Sequence, residues 1–188
     1  MQGKIYWYDR YLARTLLQLI PQSVTPNQIT LVRLLLTPVA IALLALREYD
    51  IGVPFFLFLA LTDLADGSLA RTRGMITEWG IIWDPIADKI MIGSIVLLLL
   101  QRGFSITIAL TLLGFECAFL LGGWMRKREG VIRGANWWGK IKMVCQVAGV
   151  TSYLLFLQTS WPAAQSGSYA LFSVAAFLAF CSLLAHGL

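Results

Sequence analysis

The chain has 188 residues, of which 58% are hydrophobic and only 13% charged, with a mean hydropathy of +0.72. That balance excludes an ordinary soluble domain, because a core of this size cannot bury so much apolar surface and lipid must cover the excess. The formal net charge of +5 sits between apolar runs without aromatic interleaving, which argues against a nucleic-acid partner and for orientation in a membrane.

Residues 5–20 come first and read as an amphipathic helix lying in the interface. Tyr8, Leu12, Leu16 and Leu19 share one stripe, while Lys4, Arg10 and Arg14 fall elsewhere. The same segment, charged and without a small-residue cleavage site, lacks the pattern of a cleavable signal. Pro26-Asn27 breaks this helix, and Thr25 or Asn27 is placed to cap the next one.

Six apolar runs of spanning length follow, near Thr30–Leu46, Ile51–Leu69, Trp83–Leu100, Ser105–Trp124, Trp138–Leu157 and Tyr169–Leu184. They predict an all-α membrane protein with six transmembrane helices plus the interfacial one, forming a single domain over 1–188. Tryptophans 79, 83, 124, 137, 138 and 161 fall near the ends of these runs, as an interfacial belt requires. The three cysteines (Cys117, Cys145 and Cys181) lie singly in apolar runs without metal-ligand spacing and read as buried, inert thiols.

The connections set the orientation. Lys4, Arg10, Arg14 and Arg33 precede or open the first span; Arg71, Arg73 and Lys89 surround the second connection. Arg126, Lys127, Arg128, Arg133, Lys140 and Lys142 crowd the fourth, whereas the opposite side carries Arg47 and Arg102 and 161–168 has no charge. Both termini and the two basic connections are therefore expected in the cytoplasm.

Four of the ten acidic residues cluster at the second connection. Asp63, Asp66, Gly67, Ala70 and Arg71 are spaced to share one helical face, and Gly80, Asp84 and Asp88 share a face of the following helix. A short turn through Arg73 and Gly74 brings the two helices together at the cytoplasmic edge. Taken singly, each aspartate reads as a cap or a solvated surface group, and Asp84 before Pro85 as a helix N-cap. Taken together, four carboxylates on two facing stripes need positive charge, and Arg71 and Lys89 are too few to supply it. Divalent cations meet that need and suit a diphosphate substrate. Gly67, Ala70 and Gly80 leave room beside the backbone for a nucleotide.

The whole stretch resembles the signature of the CDP-alcohol phosphotransferase family: Asp63, Asp66-Gly67, Ala70-Arg71, Gly80, Asp84 and Asp88 at the family's spacing, over 26 residues. The resemblance implies a homodimer with two Mg²⁺ or Mn²⁺ ions per subunit and a site open to the cytoplasmic leaflet of a bacterial-type inner membrane. It implies that Asp63, Asp66, Asp84 and Asp88 ligate metal and that Asp88 is also general base. Gly67, Ala70, Arg71 and Gly80 would line the pocket for CDP-diacylglycerol, with Asn27 and Thr30 as further contacts from the helix opening. A small phosphorylated alcohol would attack the lipid-side phosphate, and CMP would leave.

The acceptor is read from weaker signals. Asp84-Pro85-Ile86-Ala87-Asp88-Lys89 and Gly139-Lys140-Ile141-Lys142 with Gln146 resemble the phosphatidylglycerolphosphate synthase branch, which uses glycerol 3-phosphate. Lys140, Lys142, Arg126 and Arg133 are the candidate ligands of an acceptor phosphate, although cytoplasmic cations are expected for topology alone. Phe115 before Glu116 and Met143 depart from that branch. They keep open a cardiolipin synthase using phosphatidylglycerol or a phosphatidylinositol phosphate synthase. Glu116, an acid inside the membrane, is expected to have a partner in the bundle, such as a cation from the fifth span. His186 near the C-terminus reads as incidental. A cation transporter is the rival from another class, but it would place its acids at mid-membrane on broken helices. A scaffold without chemistry leaves the acid cluster unexplained.

Overall fold

The computed structural model describes residues 7–128 and 137–186, and every regular element among them is helical. The helices are α1 (Trp7–Arg14), α2 (Pro26–Ala45), α3 (Tyr49–Thr72), α4 (Glu78–Leu100), α5 (Ile106–Arg128), α6 (Trp137–Thr159) and α7 (Pro162–His186). Five of them, α2, α3, α5, α6 and α7, are long and apolar enough to cross a membrane. The third apolar run of the sequence begins a turn earlier than expected, as α4, and its N-terminal half carries Asp84, Asp88 and Lys89. Chain contacts divide the molecule into two compact units, Met1–Met91 and Ile92–Leu188.

In the first unit, the expected single helix over 5–20 is instead α1 followed by a short 3-10 turn, Leu16–Leu19. The break falls at Thr15, whose backbone (φ −120°, ψ −90°) is not helical. Leu17 of that turn is buried against Ala65 and Leu69 of α3. The proposed stripe cannot be followed: the side chains of Tyr8, Leu12, Leu16 and Leu19, and Lys4 altogether, lie outside the described residues.

Thr25 starts α2 with a capping box. Its hydroxyl accepts from the backbone N–H of Gln28, and the Gln28 side chain accepts from the backbone of Thr25, with Pro26 at the first helical position. The buried positions of α2 are Pro26, Thr30, Arg33, Thr37, Ala40 and Leu44, a stripe at alternating spacings of four and three. Its first half is polar while Leu31, Val32, Leu35 and Val39 are exposed. That inversion is what lipid favours, with polar groups facing the protein interior. Pro38 removes one backbone donor within the helix, and the Thr37 hydroxyl bonds the Arg33 carbonyl at 2.8 Å. Close to the other end, a Cβ at Gly52 of α3 would lie 2.8 Å from Leu44, so the two helices pack nearly backbone to side chain there.

Helix α3 stops where Gly74 turns into the left-handed region (φ +67°). The N–H of Met75 then bonds the Ala70 carbonyl and that of Arg73 the Leu69 carbonyl, which closes the helix end. Thr77 caps α4 by accepting from the Gly80 N–H at 3.0 Å. Asp84 therefore lies well inside α4 and is no cap, and Pro85 is an internal proline.

In the second unit α7 packs along α6 and also against α5. Gly149 is the key to the α6–α7 contact, since a Cβ there would meet the Phe172 ring at 3.1–3.2 Å. The Ser168 hydroxyl bonds the Gly149 carbonyl at 2.9 Å, and the Ser152 hydroxyl bonds the Ala164 carbonyl at 2.7 Å. Small residues and serine hydroxyls let membrane helices approach closely and hydrogen-bond across the seam. Phe104, Tyr153, Tyr169 and Phe172 complete an aromatic core. The expectation of buried cysteines is corrected here: Cys117 is exposed, Cys145 and Cys181 are half-buried, and all three are free thiols.

Candidate functional site

The polar half of the α2 stripe faces the acids of α3 and the start of α4, all within the first unit. Arg33, fully buried, donates through Nη1 to Asp63, and its Nη2 lies 3.4 Å from Asp66 Oδ2. Thr30 Oγ1 lies 2.6 Å from Asp84 Oδ1 and 3.1 Å from Asp66 Oδ2. A hydroxyl has a single proton, so Thr30 satisfies one of these carboxylates at a time. The result is a chain of contacts from Asp84 through Thr30 to Asp66, then through Arg33 to Asp63. Asp88, one turn beyond Asp84 on the same helix, is half-buried.

The cluster differs from the expectation in one respect. Arg33 reads in the sequence as an orienting charge, yet it is buried among the acids as their internal counter-cation. The signal was available in the spacing of Thr30, Arg33 and Thr37, which puts all three on one face. Among the described residues no three acidic, histidine or cysteine side chains are arranged to hold a metal ion as they stand. The guanidinium contacts Asp63 and Asp66 instead. Its Nε and Nη2 are buried without a hydrogen-bond acceptor, so part of its donor capacity is unspent.

The small residues of the motif have identifiable neighbours. A Cβ on Gly67 would sit 3.3 Å from Nη1 of Arg71, so this glycine makes room first for an arginine of its own helix. A Cβ on Gly80 would lie 3.2 Å from Asn27 Oδ1, 3.2 Å from Thr77 Oγ1 and 3.4 Å from Asp84 Oδ2. The Thr77 hydroxyl donates to Asn27 Oδ1 at 2.8 Å, which ties the first turn of α2 to the cap of α4. Ala70 is half-buried. Arg71 donates through Nε and Nη2 to the two oxygens of Asp9 at 2.9 and 2.8 Å. Asp9 was not singled out in the sequence, where it is one acid in a basic segment.

The candidate acceptor cations belong to other parts of the chain. In the second unit Lys142 Nζ lies 2.6 Å from Glu116 Oε1, and Gln146 Nε2 donates to the same oxygen at 2.7 Å. The expected partner for Glu116 from the fifth apolar run is thus present. The Lys142 ammonium, which also lies over the Phe119 ring, is directed at that carboxylate. Lys140 is half-buried and, like Phe115 and Met143, belongs to this unit. Arg133 and the side chains of Arg126 and His186 lie outside the described residues.

A family model for CDP-alcohol phosphatidyltransferases matches residues 23–183, nearly the whole chain. The chain belongs to the CDP-alcohol phosphatidyltransferase family. Membership places it among transferases, and its apolar helices make it an integral membrane member. Curated relatives in the same family include a CDP-diacylglycerol–glycerol-3-phosphate 3-phosphatidyltransferase of Salmonella choleraesuis, 30% identical over 86% of this chain and 91% of the relative. Proteins of the same name from Rickettsia typhi and Rickettsia prowazekii are 34% identical over 41% of this chain. The match spans less than half of the Rickettsia proteins' length, 45% and 44%.

Proposed function

We propose that this family member transfers the phosphatidyl group of CDP-diacylglycerol to glycerol 3-phosphate, giving phosphatidylglycerol phosphate and CMP. The observation that carries the reading is the contact chain linking Asp63, Asp66 and Asp84 through Thr30 and Arg33. It joins three of the four motif acids, two on α3 and one on α4, through two side chains of α2. The glycerol 3-phosphate acceptor follows the name of the Salmonella relative, with which similarity extends over most of both chains.

The chemistry needs an in-line attack. The acceptor hydroxyl oxygen forms a bond to the lipid-side phosphorus, the bond from that phosphorus to the CMP phosphate breaks, and the hydroxyl proton passes to Asp88. Asp88→Asn should lower turnover by roughly 10²- to 10⁴-fold; turnover at the wild-type rate would remove the base role. The donor set, carboxylates with a threonine hydroxyl and no nitrogen or sulfur ligand, fits Mg²⁺ or Mn²⁺. Asp63, Asp66, Asp84 and Asp88 would hold two such ions per subunit, which when bound would neutralise the diphosphate and polarise its phosphorus. Arg71, Gly67, Ala70, Gly80, Asn27 and Thr30 would surround the cytidine diphosphate.

In the same reading the six long helices α2–α7 all cross the bilayer, with α1 in the interface. The two units form one membrane domain, both termini face the cytoplasm of a bacterial-type inner membrane, and the protein works as a homodimer. The pairing of Lys142 with Glu116 favours phosphatidylglycerol as the alternative acceptor, because a lysine already matched to a carboxylate is a poor ligand for a phosphate monoester and phosphatidylglycerol carries none. CMP release from the purified protein, with CDP-diacylglycerol and Mg²⁺ and acceptors offered one at a time, decides the matter. Release only with glycerol 3-phosphate supports the favoured reaction, and release only with phosphatidylglycerol or an inositol phosphate replaces the acceptor. No release with any acceptor removes the transferase reading.

A further inference from the structure

The function just proposed leaves Asp9 unused, yet it is the most enclosed acid described in the first unit. It stands on α1 with its side chain fully buried. Side-chain hydrogen bonds from α3 end on it: Ser68 Oγ donates to Oδ1 at 2.8 Å, Arg71 Nε to Oδ2 at 2.9 Å, and Arg71 Nη2 to Oδ1 at 2.8 Å. Burying an ion pair yields little net stability, because desolvation offsets most of the attraction. A paired carboxylate that grips both Nε and Nη2 does something else well, which is to fix the plane and direction of a guanidinium. The opposite side of the same guanidinium rests on Gly67, where any Cβ would crowd Nη1 at 3.3 Å. Arg71 is therefore set in place by Asp9 and by the bare backbone of Gly67 together.

The carrier of Asp9 is itself tied down by the same helix. Arg73, two residues on, donates to the carbonyls of Ile20 at 2.8 Å, Pro21 at 3.1 Å and Leu17 at 3.4 Å. Leu17 packs on Ala65 and Leu69 of α3. The N-terminal segment and the motif end of α3 thus hold one another through an ion pair, backbone bonds and an apolar contact.

We propose that Asp9 is a positioning residue for the CDP lipid: by clamping Arg71 it orients the guanidinium that meets the diphosphate. The inference rests on the function proposed above, in which Arg71 lines the CDP-lipid pocket. It makes the N-terminal helix part of the substrate site as well as a membrane anchor. Replacing the carboxylate by an amide of the same shape keeps an acceptor for Ser68 and loses the charge-assisted grip on Arg71.

The test is steady-state kinetics of CMP release by purified full-length protein, varying CDP-diacylglycerol and acceptor separately, for the wild type, Asp9→Asn and Asp9→Glu. Asp9→Asn should raise KM for CDP-diacylglycerol roughly tenfold, leave KM for the acceptor unchanged and change kcat by less than its effect on that KM. Asp9→Glu, which keeps the charge, should recover part of the loss. Should Asp9→Asn fail to fold, Ser68→Ala, which frees the carboxylate from one bond, is to be read the same way. An unchanged KM for CDP-diacylglycerol overturns the inference. So does a uniform fall in kcat with loss of thermal stability and no KM selectivity, which would mark Asp9 as a docking group only. Wild-type turnover with an unselective Asp9→Asn removes the inference alone, whereas wild-type protein without CMP release removes the proposed function and the inference with it.

Discussion

At the scale of single residues, Arg33 determines the electrostatics of the acid cluster. A guanidinium keeps its charge even with no solvent exposure, so burying it is tolerable only where carboxylates offset that charge, as Asp63 and Asp66 do. Removing one partner of a buried pair leaves an uncompensated charge and costs about 3–5 kcal/mol. Arg33→Gln should therefore lower the Tm of the purified protein in EDTA, and added Mg²⁺ should return much of the loss by supplying positive charge to the same acids. An equal loss with and without Mg²⁺ would show that Arg33 acts by packing alone. Thr30 sits beside it with one proton for Asp66 and Asp84, so two motif helices compete for a single donor. The acids themselves were legible because their spacing and clustering are local. The role of Arg33 was legible only in part: its spacing with Thr30 and Thr37 puts the three on one face, but nothing within α2 says which helix that face will meet.

At the scale of elements, the helices follow local chemistry closely and their partners do not. The Thr25–Gln28 capping box, Pro26 and the positive φ of Gly74 are short-range signals, and they place the start of α2 and the end of α3. The α6–α7 seam depends on a contact between residues far apart in sequence. Alanine at Gly149 would gain about 1 kcal/mol in helix propensity. Its Cβ would also press at 3.1–3.2 Å on Phe172, which is fully buried and has little room to move, and overpacking costs about 1–3 kcal/mol. The clash should win, so Gly149→Ala should lower Tm, and adding Phe172→Leu should make the double variant less damaged than the sum of the two singles. Glu116 and Lys142 make a second such pair across α5 and α6. Lys142→Met alone should destabilise the protein more than Lys142→Met combined with Glu116→Gln, since the double change removes the orphaned charge. A double variant worse than the single would assign Lys142 a role beyond pairing.

For the whole molecule, the distribution of charge between loops predicts the orientation. In a cysteine-free background, Met75→Cys in the turn after α3 should react with a membrane-impermeant thiol reagent only after cells are opened. Gln101→Cys after α4 should react in intact cells. The reverse pattern would invert the topology. The cysteine-free background is needed because none of the three native thiols is buried in the chain.

Composition and periodicity by themselves determined that this is an all-helical membrane protein. The motif spacing by itself pointed to the family that the family model matches, and it singled out the acids that the fold gathers into one cluster. Both are local or averaged properties, and lipid as a solvent enforces them whatever the helices later contact. Only the tertiary structure decided that Arg33 and Thr30 enter the acid cluster. The same holds for the pairing of Arg71 with an aspartate about sixty positions upstream, and for the commitment of Lys142 to Glu116. Those pairings join residues distant in sequence, and in an apolar medium each polar side chain must find its partner wherever packing brings one within reach.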